Sequence, residues 1–139
     1  MPAKPCSLPV VKRPIILKND MAAGLPLKPL HVNQRTATAI VYCEGNFAAI
    51  DGKTANGLVR HSERYKILSV IDSEKSGLDA GMVLDNKTND IPICRDLADA
   101  VALAGVVPDY FIFGMAPSSG MLSIHERSLI LEAMSHGMN

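Results

Sequence analysis

The 139-residue sequence has no net charge, no long apolar run and few cysteines. Each shortage closes a class of function. Fourteen basic and fourteen acidic residues cancel, so the total carries no electrostatic footprint for nucleic acid. No stretch approaches the roughly 20 apolar residues of a membrane span. Cys6, Cys43 and Cys94 are odd in number and widely spaced. That suits free thiols in a reducing compartment better than a disulfide framework or a zinc site. His31, His125 and His136 show no metal-ligand spacing. The expectation is a cytoplasmic protein with no metal, no nucleic acid and no membrane among its partners.

The zero balance conceals an asymmetry. Residues 1–35 hold six basic residues, one acid and six of the nine prolines. Residues 36–139 hold the other eight basic residues and thirteen acids. The two parts are therefore read as a Pro-rich basic arm (1–35) and a folded domain (36–139). The arm does not resemble a targeting segment. Its apolar pieces are short and interrupted by Lys12, Arg13 and Pro14, and prolines at 2, 5, 9 and 14 oppose an amphipathic helix.

From residue 36, strand and helix patterns alternate. Strands are expected at 38–42, 65–71, 91–94 and 110–116. Asp51 is expected to cap a helix running from Gly52 to about residue 64, with Ala55, Leu58, Val59 and Ser62 on one face. A weak helix is read at 77–84. Asp96 opens the next helix and Gly105 closes it. Ser123 and Glu126 form the S-x-x-E capping box of the last helix. The near-continuous apolar run at 110–116 suits a strand buried on both faces. This alternation predicts a Rossmann-like α/β fold, a parallel sheet of order 3-2-1-4 with right-handed crossovers. The pattern calls for a fifth strand after the last helix, so the sheet is expected to be truncated there.

The loop after the first strand holds the most suggestive chemistry. Gly52-Lys53-Thr54 opening a helix has the end of a P-loop, but that motif requires glycine at position 47, where Phe47 stands. Phe47 also fails the second glycine of G-x-G-x-x-G counted from Gly45. The weaker expectation is an anion site at a helix N-terminus, formed by Gly45, Asn46, Gly52, Lys53 and Thr54. The plain alternative is a helix start with a solvated lysine. Asp72 ends the second strand, where dinucleotide folds place a ribose-binding acid, or it caps the following turn. Ser118, Ser119 and Gly120 follow the fourth strand. In a 3-2-1-4 sheet their loop should face the 43–47 loop across the crevice between strands one and four. Otherwise they form an ordinary turn. Cys43 lies near this crevice, but no general base is placed beside it, so a small buried thiol is expected.

The segments IVYCEGNF (40–47), DGKTANGLVRHSERY (51–65), VIDSEKSGLDAG (70–81), IPICRDLADA (91–100), PDYFIFGMAPSSG (108–120) and LSIHERSLILEAMSHGMN (122–139) resemble a two-domain bacterial family long known as a domain of unknown function. Some of its members are described as D-glutamate N-acetyltransferases. The resemblance implies a Rossmann-like N-terminal domain, followed in the family by a larger P-loop-type domain that this sequence lacks. It implies acetyl-CoA as donor and D-glutamate or a similar amino acid as acceptor. It also implies that the domain partners its C-terminal counterpart or another copy of itself. A chain without the second domain is expected to be inactive alone. The alternatives are a non-catalytic nucleotide-binding or regulatory module, and a fragment that docks onto a separately encoded second half.

Overall fold

The computed structural model describes residues 35–139. Residues 1–34, which hold Cys6, His31 and all of the basic arm but Arg35, lie outside the described residues. Four parallel strands form one sheet in the order β3-β2-β1-β4. They are β1 (Ala37–Tyr42), β2 (Tyr65–Ile71), β3 (Ile93–Cys94) and β4 (Tyr110–Phe113). The helices between and after them are α1 (Lys53–Arg60), α2 (Ala80–Asp85), α3 (Leu97–Ala104) and α4 (Ile124–Ser135).

The alternation of side chains along β1 divides the core. Ala39, Val41 and Cys43 face one side, where Ala55 and Val59 of α1 and Ala80 of α2 pack on them. Ile40 and Tyr42 face the other, against Leu97 and Ala100 of α3 and Leu129 and Ala133 of α4. The β1–β2 ladder slips between Ala39 and Ile40, which leaves Leu68 outside the pairing.

Local chemistry explains most helix starts. Asp79, Asp96 and Ser123 each accept a backbone N–H of the first turn, from Met82, Asp99 and Glu126. Both halves of the Ser123–Glu126 box are formed, at 3.1 and 2.7 Å. Gly105 ends α3 at φ +70°, the left-handed conformation that favours glycine.

Five expectations need correction. The first helix is shorter than 52–64: a 3-10 turn (Ile50–Gly52) precedes α1, and the chain is extended again at His61. Asp51 caps nothing with its side chain. A tertiary contact does that work instead, with the Ala55 N–H donating to the Gly114 carbonyl at 3.0 Å. The weak helix begins at Ala80, and residues 91 and 92 precede β3 rather than join it. Finally, β4 ends at Phe113 and its four residues are half-buried, because it is the outermost described strand on its side. Among the described residues, only one pairs with its outer edge. Asn139 donates to the Asp109 carbonyl at 2.9 Å and accepts from the Phe111 N–H at 3.0 Å. That is a single parallel rung. Among the described residues, no helix is long and apolar enough to cross a membrane.

Candidate functional site

The order 3-2-1-4 reverses chain direction around the sheet between β1 and β4, so their following helices leave on opposite faces. A cavity of about 470 Å³ opens there at the carboxyl ends of the strands. The 43–52 loop forms one wall, with Asn46 and Asp51. The chain from Met115 to Ser123 and the first turn of α4 form the other, with Ser118, Ser119 and Glu126.

Asp72 organises the first wall. Its carboxylate is completely buried. One oxygen accepts the N–H of Gly45 (3.3 Å) and Glu74 (3.0 Å). The other accepts the N–H of Phe47 (3.2 Å) and the Lys75 ammonium (3.3 Å). A buried charge needs such compensation. With its acceptor positions occupied and no surface exposed, Asp72 holds the loop instead of reaching a ribose. Gly45 makes the turn at φ +69°, and its amide is spent on Asp72.

Glu44 ties the same loop to the next one. Its carboxylate accepts the Ser73 N–H at 2.9 Å and also the Ser73 hydroxyl. Asn46 donates its side-chain amide to the Glu44 carbonyl at 2.9 Å, which fixes it at the cavity wall. Gly52 is a packing glycine. A Cβ there would lie 2.2 Å from the Asn46 carbonyl oxygen and 2.8 Å from the Cys43 sulfur. Cys43 is sealed beneath this contact, and burial, followed by the Asp72 charge, pushes its thiol up to about 12. It cannot serve as a nucleophile at neutral pH.

The second wall is also braced. The Ala116 N–H donates to the Asp51 carbonyl at 3.0 Å, so the two loops touch at the cavity's end. The Ser119 hydroxyl accepts from the Met121 N–H and donates to the Met121 carbonyl. Gly120 is the turn residue at φ +70°.

Of the nine residues singled out from sequence, Asn46, Ser118 and Ser119 line the cavity. Gly45, Gly52, Gly120 and Asp72 shape its walls. Lys53 and Thr54 are exposed in the first turn of α1 and do not line it. Sequence reasoning missed Asp51 and Glu126 as lining groups, because each has a sufficient local reading as a helix cap. Their presence changes the electrostatics. Among the described residues, the lining contains two carboxylates and three serine hydroxyls but no lysine or arginine. The anionic groups of a ligand are therefore disfavoured against this wall, and an ammonium group is favoured. Among the described residues, no group of three or more His, Cys, Asp or Glu side chains is placed to hold a metal.

Residues 73–139 match the model of a domain of unknown function, the DUF1611_N Rossmann-like domain. Among solved structures, a DUF1611 family protein from Anabaena variabilis is similar at 22% identity and a TM-score of 0.64. The similarity covers 74% of this chain and 28% of that one, and at this identity it speaks for the fold alone. No curated protein matches.

Proposed function

We propose that this domain, whose residues 73–139 match the model of the DUF1611_N Rossmann-like domain, is the small-molecule-binding N-terminal domain of an N-acetyltransferase-like enzyme. The observation that carries this reading is the cavity between the β1 and β4 loops, at the switch point where open α/β sheets take their ligands. Its chemistry favours the ammonium group of an amino-acid-like acceptor, whose carboxylates then face away from Asp51 and Glu126. Ser118 and Asn46 supply orientation, and Asp51 and Glu126 supply charge.

Acetyl-CoA does not fit this wall. Its phosphates call for cations or open amides, whereas the lining offers carboxylates and the Ala55 amide of α1 is already bonded to Gly114. The donor is therefore assigned to another part of the whole protein, and the isolated chain transfers no acetyl group to D-glutamate. Calorimetry with D-glutamate, acetyl-CoA and a nucleotide tests the assignment on the parent chain and on Ser118→Ala, Asp51→Asn and Lys53→Ala. Binding of the amino acid that weakens several-fold in Ser118→Ala and Asp51→Asn but ignores Lys53→Ala is the expected result. Phosphate-ligand binding lost in Lys53→Ala would restore the anion site at the head of α1.

A docking role has its own support. Ile50, Met121, Leu122 and Ile124 are exposed apolar residues; Met121 and Leu122 line the cavity, and Ile50 and Ile124 adjoin its lining residues Asp51 and Ser123 in the chain. Such a cluster at a cleft rim suits a covering partner, here the family's second domain. Its test is the absence of amino-acid binding by the chain alone and its appearance when that domain is supplied.

A further inference from the structure

The last helix is apolar on two sides. Leu129 and Ala133 of α4 are buried in the core. On the opposite side, Ile124 is 88% exposed and Leu131 is 55% exposed. These two lie seven residues apart, on one stripe of the helix. Ser128 and Ser135 fall on the same stripe and are also exposed. A helix that only covers a sheet needs one apolar face. The second face of α4 has no such use within the sheet.

Charges flank the outer stripe with opposite signs. By helical periodicity, Arg127 lies about 70° to one side of it and Glu132 about 70° to the other. Both are exposed. Among the described residues, neither forms an ion pair within the chain.

This is the pattern of a helix-pairing seam. Ile124 and Leu131 take d positions, Ser128 and Ser135 take a positions, and Arg127 and Glu132 take the flanking g and e positions. Two copies of such a helix, parallel about a two-fold axis, set the g residue of each against the e residue five places on in the other. Arg127 then meets Glu132 of the second copy, and symmetry forms the pair twice. An antiparallel pair sets each flank against its own kind and matches neither charge. The charges therefore select both the partner and its direction.

We propose that the outer face of α4 is a self-association surface. A second copy of the chain packs its own α4 there in parallel, with Ile124 and Leu131 in the seam and Arg127 paired to Glu132 of the second copy. The proposal does not rest on the acetyltransferase reading.

The seam is under two heptads, short of the about three or four of a free-standing coiled coil. The dimer is therefore weak, and sedimentation equilibrium of the chain must extend to millimolar concentration. A monomer–dimer equilibrium is the expected result. Leu131→Lys brings like charges together across the two-fold axis and should weaken the dimer about tenfold or more. Arg127→Glu and Glu132→Arg should each weaken it about threefold or more. The double swap should restore the parent value, which a loss of folding in either single variant would not allow. A monomer at every concentration would leave this face to another partner and overturn the proposal. So would a dimer indifferent to Leu131→Lys, or a double swap as weak as the single ones.

Discussion

At the residue scale, Asp72 is the most consequential side chain of the site, although it touches no cavity. Its four bonds set the path of the Gly45–Phe47 turn. Asp72→Asn replaces an acceptor by a donor that must face an N–H or an ammonium. The variant should lose about 2–3 kcal/mol in urea unfolding. Were Asp72 a ligand contact instead, the variant would bind less and unfold normally. Cys43 and Tyr42 make a second prediction, about alkaline pH. Both have folded values raised to about 12, from 9.0 and 10.0. An acid raised on folding retains its proton longer in the native state, so the stability it gives is whole below the unfolded value and lost as pH rises to the folded one. Urea midpoints should therefore hold to about pH 9 and fall between pH 9 and 12. Cys43→Ala should flatten the first part of that fall. Parallel curves for the two proteins would contradict the burial of the thiol.

At the scale of elements, the cleft depends on how closely β4 approaches α1. Gly114 permits it. A Cβ there would meet Val41 Cγ1 at 2.6 Å and Ala55 Cβ at 2.9 Å, and the Gly114 carbonyl caps α1 through Ala55. Gly114→Ala should push the strand end from the helix and cost about 1–3 kcal/mol. Gly105→Ala provides the contrast. Nothing lies within 4 Å of its added Cβ, and only the left-handed φ of +70° is strained. Its cost should be about 1 kcal/mol, with the cleft intact. Thermal melts rank the two, and ligand binding should fail only in Gly114→Ala. Equal loss of binding in both would show that the contact does not shape the site.

At the scale of the molecule, the outer edge of β4 is guarded by very little among the described residues. Asn139 supplies one rung, and Met138 beside it is 4% exposed against Leu129 and Ala133. This residue anchors the segment that covers the edge. Met138→Ala should cost about 2–5 kcal/mol, as for other buried methionines, and should raise amide exchange at Phe111. Exchange at Ala39 and Val41, in the central strand, should track only global unfolding. If Phe111 exchanges no faster, the edge is held by something other than the Met138 anchor.

The sequence by itself determined what depends on short range. Apolar periodicity, the caps at Asp96 and Ser123 and the stop at Gly105 are visible in a few consecutive residues. Strand–helix alternation then leaves a parallel sheet with few topologies, which placed the 43–47 and 116–120 loops at one crevice. Only the tertiary structure decided the chemistry of that crevice. Asp51 and Asp72 are the same residue type, each next to a turn, yet one lines the cavity and the other is fully buried. Lys53 looked suited to an anion but projects from the first turn of α1 outside the lining. Burial and charge environment come from elements distant in sequence, and no local spacing encodes which face of a loop those elements will cover.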